Sequence, residues 1–556
     1  MTAKTSPGLR RAASSCLGAT LAFSAMASGS AAVADSAYFL PGNLIVSRSV
    51  YDNNRNNVMA GATQLPPNCT APNCVTATAD GNYPYVWNND AVDSSFGITA
   101  KIVLDQLTPS GSLVNSLEVP NSSQSGIPPT KDQMVTSFPS KSEIALNLST
   151  DGQYLTFMGY LAPIGALDVS NSNTPLAVDP TNPVGIENYR VVAQVDAHGK
   201  FHFTKTNAYS GNNGRAAILN NSNGANVVYT AGNAGNGGNP QPDGIIIGAG
   251  LQILTPETKA LVAQNPDLPT PVGSFNITQL GDTADKIGKD TNFRGLTIFD
   301  NVVYTTKGSG GNGVNTVYFV DTSGVDANGK PLACPNGNGV PAEGASLPAA
   351  PLAYDSAVLQ TEGLTPNNMC ILNGFPTALK SKTSFPFGIW FADPNTLYVA
   401  QEGDGNVNFD STHGVYTKKK GQVSGGLEKW IFNGTKWNLA YTLTAGLNLG
   451  QLYTVSGYPA GTNPTTGLPW SPTTDGLRNL TGRVNPGGTV TIWAITSTVS
   501  GNGDQGADPN KLVVITDALP ATTLPSNESF STLKTAGFGE VLRGVSLAPT
   551  TAVANR

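Results

Sequence analysis

Apolar residues recur along this chain in short alternating runs, bounded by Gly, Asn, Asp and Pro, and no long segment carries a helical period. The pattern predicts an all-β protein. A repeat sharpens it. Phe293-Arg294-Gly295-Leu296-Thr297-Ile298-Phe299 turns at Asp300-Asn301 into Val302-Val303-Tyr304-Thr305-Thr306, followed by a glycine-rich loop and Thr316-Val317-Tyr318-Phe319-Val320. Phe387-Gly388-Ile389-Trp390-Phe391 turns at Asp393-Pro394-Asn395 into Thr396-Leu397-Tyr398-Val399-Ala400, with further strands at 427–432 and 437–441. The same hairpin begins at Glu143, Arg215 and Arg478. A lone first strand, Leu542 to Leu547, ends the series, and the strands it lacks stand at the other end of the chain, at 43–47, 101–104 and 113–117. Four-strand repeats predict a β-propeller. We read six four-stranded blades, one stitched from both termini so that the ring closes without an exposed edge. Seven blades, or a β-sandwich or two unrelated β domains, are the alternatives.

Composition narrows the function classes. The chain has 556 residues with 62 Gly and 39 Pro, and its charged fraction is 12% where about 25% is usual. That excludes a nucleic-acid binder resting on basic patches and a long coiled coil, whereas 39% apolar residues can still bury a large core.

Residues 1–34 read as a signal peptide: Lys4, Arg10 and Arg11 form its basic part, Leu17 to Met26 its apolar part, and Ala32-Val33-Ala34 a small-residue cleavage site. Arg10-Arg11 also suggests twin-arginine export, without the apolar residues that usually follow. The expectation is a single propeller domain over 35–556, secreted to the periplasm or beyond, monomeric and without a membrane span. Removing the signal takes three cations from a chain of net charge −6, so attraction to nucleic acid or anionic lipid is not expected. Four cysteines remain, Cys69, Cys74, Cys334 and Cys370; in an oxidising compartment they predict disulfides, with proximity favouring 69–74 and 334–370.

The blade pattern resembles secreted bacterial six-bladed propellers, including the phytase-like group. The resemblance covers nearly all of the mature chain and implies the fold; no catalytic signature is matched residue by residue, so activity does not follow from it.

In a propeller, the starts of the first strands and the loops after the second strands open on one face. That register places Glu143, Arg215, Arg294, Phe387, Arg478 and Arg543 at the mouth, four of the nine arginines after residue 34. Guanidinium forks at one axis suit an anionic small molecule or glycan; the same residues would equally serve as clamps on carbonyls of neighbouring blades. The adjoining loops add Arg48, Lys307, Glu402 and Asp404. Asp404, Asn406, Asn408 and Asp410 alternate as oxygen donors for Ca²⁺, though without the sixth-position Gly and closing Glu of an EF-hand, and they also fit ordinary Asx turns. Three histidines and no nucleophile elbow leave carboxylates to do any catalysis, with Glu143 and Glu402 the candidates for proton transfer in a calcium-dependent, phytase-like hydrolase or lyase. A scaffold protein without a small ligand is the third reading. The glycine-rich runs at 232–238 and 308–313 lack the Lys-Ser/Thr ending of a P-loop. The segment from Tyr51 to Phe96 is expected to be a mouth-face loop whose Tyr83, Tyr85 and Trp87 either stack on sugars or pack over the blade.

Overall fold

A computed structural model describes residues 37–551 apart from 94–95, 125–132, 140–143, 181, 235–249, 257–269, 284–291, 309–312, 354–366, 380–383 and 418–424. The expected signal peptide, Glu143 and most of both glycine-rich runs lie outside the described residues.

Six antiparallel sheets form a six-bladed propeller. Blade 1 is stitched as expected: its inner strand is Glu540–Leu547, followed outward by Leu44–Val50, Ile98–Leu107 and Leu113–Glu118. Leu44–Val50 is hydrogen-bonded on both sides, pairing Val46 with Val545 and with Asp105. The inner strands of blades 2 to 6 are Asn147–Leu148, Gly214–Asn220, Phe293–Phe299, Pro386–Asp393 and Thr473–Asn485. The hairpin turn at Asp300-Asn301 holds φ of 45° and 58°, a left-handed pair that matches strand twist and that Asp and Asn tolerate.

Apolar side chains of adjacent blades interleave; Phe299 and Tyr304 of blade 4, for example, meet Phe391 of blade 5, the first pair stacked at 4.5 Å. Near the axis the blades touch through backbone. A Cβ on Gly295 would come within 1.9 Å of the Phe387 carbonyl oxygen, one on Gly388 within 2.5 Å of that of Arg478, and one on Gly544 within 2.2 Å of that of Ile144. Each of these glycines directly follows the repeated mouth position held by Arg294, Phe387 and Arg543. Its missing side chain lets the next blade's carbonyl close in.

The cysteines pair as Cys69–Cys74 and Cys334–Cys370, with Cα separations of 5.5 and 6.0 Å. Tyr83 and Trp87 settle on the packing side of their two alternatives: both are buried with Tyr51, Phe96 and Phe138, and the Tyr83 hydroxyl donates to the Ala507 carbonyl at 2.8 Å. Tyr85 stays partly exposed, edge-on to Trp470. Among the described residues no helix is long and apolar enough to cross a membrane.

Candidate functional site

The mouth contains a cavity of about 310 Å³ shared by blades 4, 5 and 6. Its centre is Glu402, in the loop that leaves the second strand of blade 5. Arg294 of blade 4 donates to its Oε2 at 3.1 Å, and Arg478 of blade 6 donates to its Oε1 through Nε at 2.9 Å and Nη2 at 2.8 Å. Phe387 occupies the corresponding first-strand position in blade 5. Its ring centroid lies 5.1 Å from the Arg294 guanidinium carbon and 5.8 Å from that of Arg478, so an aromatic face supports both cations. The loop is held tightly: the Glu402 N–H donates to the Phe385 carbonyl at 2.9 Å, its carbonyl accepts from the Ser497 hydroxyl, and Gly403 turns at φ 94° where a Cβ would strike the Asp475 carboxylate.

Two guanidiniums therefore face four carboxyl groups among the described lining residues: Glu402, Asp404, Asp475 and Asp504. Burial pushes the Asp475 carboxyl up to about 7, reinforced by the charges of Asp404 and Glu402 and opposed by the Gly405 N–H that donates to it at 2.8 Å. Behind the mouth, Asp508 is likewise raised to about 7 by burial and the charge of Asp504, against hydrogen bonds from Ser500 and Tyr458.

The other expected site residues are placed differently. Arg215 donates to Asn213 Oδ1 at 2.9 Å and to Asn292, which leads into blade 4; Arg543 donates to Ser49 Oγ at 3.0 Å and to the Pro139 carbonyl at 2.6 Å. Neither is among the described residues lining the cavity: Arg215 reaches the segment that leads into blade 4, and Arg543 reaches its own blade's second strand and Pro139. Arg48 is not at the mouth cavity: it forks onto Asp105 at 3.0 and 3.1 Å and also pairs with Glu540. Although burial alone would raise the Asp105 carboxyl, this fork and the Ser116 hydroxyl hold it below its ordinary value. Lys307 is buried opposite Phe293 at the mouth end of blade 4.

The oxygen-rich loop forms successive Asx turns. Asp404 accepts the Asn406 N–H at 3.0 Å, Asn406 accepts the Asn408 N–H at 3.0 Å, and Asp410 accepts the Thr412 N–H at 2.9 Å while pairing with His413 Nδ1 at 2.6 Å. Among the described residues, no three His, Cys, Asp or Glu side chains gather as a metal site would require.

Asp475, three residues before Arg478, is legible in the sequence only as one acid among many. Nor does the sequence single out Arg190, a fully buried guanidinium donating to the carbonyls of Asn188 at 2.6 Å, Ser172 at 2.7 Å and Asn212 at 2.9 Å. Burial lowers its pKa to about 10, so it remains a cation at neutral pH, holding blade 2 to the segment that leads into blade 3.

No known family model matches the chain, and no curated protein does. Solved structures with a similar course include a protein provisionally described as a 6-phosphogluconolactonase from Bacteroides uniformis, at 10% identity over 89% of this chain and 83% of that one, with a TM-score of 0.30. A polysaccharide lyase of family PL25, an ulvan lyase, matches at 11% identity over 81% and 91%, with a TM-score of 0.28. The parainfluenza virus 5 hemagglutinin-neuraminidase ectodomain matches at 9% identity over 73% of each chain, TM-score 0.30.

Proposed function

We propose that this chain is a secreted propeller that binds an anionic small molecule or glycan at the mouth shared by blades 4, 5 and 6. The observation that carries the reading is the Arg294–Glu402–Arg478 arrangement, in which two guanidiniums already hold one carboxylate beside an open cavity. A ligand carboxylate or sulfate competes with Glu402 for the same forks. The acidic groups opposite favour a hydroxyl-bearing anion over a bare one, since Asp404, Asp475 and Asp504 offer acceptors to sugar hydroxyls. The cysteine pairs fit the oxidising compartment that secretion implies.

The test is calorimetric titration with oligoglucuronate and a sulfated oligosaccharide. Arg478→Ala is expected to weaken binding at least tenfold while the melting temperature moves little. Glu402→Gln removes the internal competitor's charge and is expected to tighten binding. Loss of folding in Arg478→Ala and Arg294→Ala with no effect on ligand would leave these residues as clamps.

A second reading, a hydrolase or lyase, is favoured by Asp475, because a carboxyl titrating near neutrality beside two guanidiniums is equipped for proton transfer. Turnover of a polyanionic sugar or phosphate ester that stops on adding EDTA would support calcium at Asp404 to Asp410; turnover that persists would exclude the metal while keeping the enzyme.

A further inference from the structure

The larger cavity lies at the other end of the central channel. It measures about 890 Å³, within the roughly 300–1,000 Å³ range of small-molecule sites, and its wall includes the far halves of the inner strands. Its chemistry is unlike that of the mouth. Among the described lining residues there is no Lys, Arg, His or Glu, and the one carboxylate, Asp300, sits exposed in the hairpin turn at the rim.

Three features of the wall specify a ligand. First, each inner strand pairs with its own blade on one side, and where a neighbouring blade does not reach its other edge, as the Thr150 N–H reaches the Leu219 carbonyl and the Thr156 hydroxyl the Ala217 carbonyl, the backbone leaves uncharged donors and acceptors toward the channel. Second, Thr297, Thr481 and Ser546, from blades 4, 6 and 1, line the cavity with hydroxyls that make no side-chain hydrogen bond among the described residues. Third, the partly exposed indole of Trp390 lies against Gly482, where a Cβ would come within 2.6 Å of the ring. The bare glycine lets the indole pack closely against blade 6 where it borders the cavity. An anion finds no cation here, and a wholly apolar ligand would strand the backbone groups without partners. A ring of hydroxyls with an apolar face satisfies both surfaces.

We infer that this end of the channel is a second ligand site, independent of the mouth, for a neutral saccharide. The sugar's apolar side packs on the exposed part of the Trp390 ring while its hydroxyls exchange hydrogen bonds with Thr297, Thr481 and the inner-strand edges.

Tryptophan fluorescence and calorimetry with maltohexaose, cellohexaose and xylohexaose test this on the full protein. At least one neutral hexaose is expected to bind and perturb the fluorescence, with affinity reduced tenfold or more in Trp390→Ala. Because the indole also packs between blades, Thr481→Val and Thr297→Val serve as shape-conserving partners, each expected to weaken binding about three- to tenfold with an unchanged melting temperature. Arg478→Ala should leave the neutral-sugar affinity as it is. Absence of binding by all three hexaoses, binding unaffected by all three cavity substitutions, or binding lost in Arg478→Ala would each overturn the inference.

Discussion

Asp475 sets how the charge of the mouth varies with pH. Its carboxyl titrates at about 7 in the folded chain against an ordinary 3.8, chiefly because burial disfavours the anion. Between those values the folded chain holds a proton that the unfolded chain has released, so the stabilising contribution is complete below pH 3.8 and lost as pH rises through 7. Asp475→Asn keeps an oxygen for the Gly405 N–H and removes the titration. Thermal melts are expected to show it several degrees more stable than the parent at pH 8 and no more stable at pH 3.5. The same proton sets the charge that a bound anion faces: anion affinity in the parent should fall roughly three- to tenfold between pH 5.5 and pH 8, and this fall should vanish in Asp475→Asn. Binding independent of pH in the parent would remove Asp475 from the site. At this scale the repeat register brings equivalent positions to one rim, and there Arg294, Arg478 and Glu402 meet. The register brings Arg48, Arg215 and Arg543 to the same rim, and their side chains reach Asp105, Asn292 and the Pro139 carbonyl. Register fixes where a Cα stands; the nearest unsatisfied acceptor decides where a long guanidinium goes.

The elements explain a feature of the repeat that composition left as mere abundance of glycine. Arg294-Gly295, Phe387-Gly388 and Arg543-Gly544 share a glycine because a neighbouring blade's carbonyl occupies the space of a side chain. Gly295→Ala must move backbone to fit and is expected to cost about 3 kcal/mol or more in urea unfolding. Alanine at Gly434, a turn glycine at φ 93° with nothing near its Cβ position, should cost only about 1 kcal/mol, from backbone conformation alone. Equal costs would mean that the axial contact is slack. Blade 6 solves the same junction differently: Asn479 stands in the glycine's place and its Oδ1 accepts the Val545 N–H at 2.6 Å, joining blade 6 to blade 1. The oxygen-rich loop after the second strand of blade 5 shows the limit of motif reading, since alternating Asp and Asn supply the same spacing to a cation and to successive Asx turns.

At the scale of the whole molecule, the ring is closed by backbone pairing between strands almost five hundred residues apart. Leu44–Val50 bonds to Glu540–Leu547 on one edge and to Ile98–Leu107 on the other, so truncation after Gly539 strips one edge of that strand and opens the channel wall. Circular dichroism of that truncation is expected to show loss of the single cooperative melt; a melt within a few degrees of the parent would mean that the closure is dispensable. The alternating apolar pattern, the turn residues and the orphan strand at the carboxyl end determined the six blades and their stitched closure, because strand pairing and hairpin geometry are local properties repeated along the chain. The tertiary structure alone decided that two of the four repeated arginines, Arg294 and Arg478, meet at one carboxylate while Arg215 reaches Asn292 and Arg543 reaches Ser49 and Pro139, and that Asp475 is desolvated at that mouth. It also decided that the channel ends in an uncharged cavity. These outcomes depend on which side chains and carbonyls from different blades meet at the axis, and such distances are set only when the ring closes.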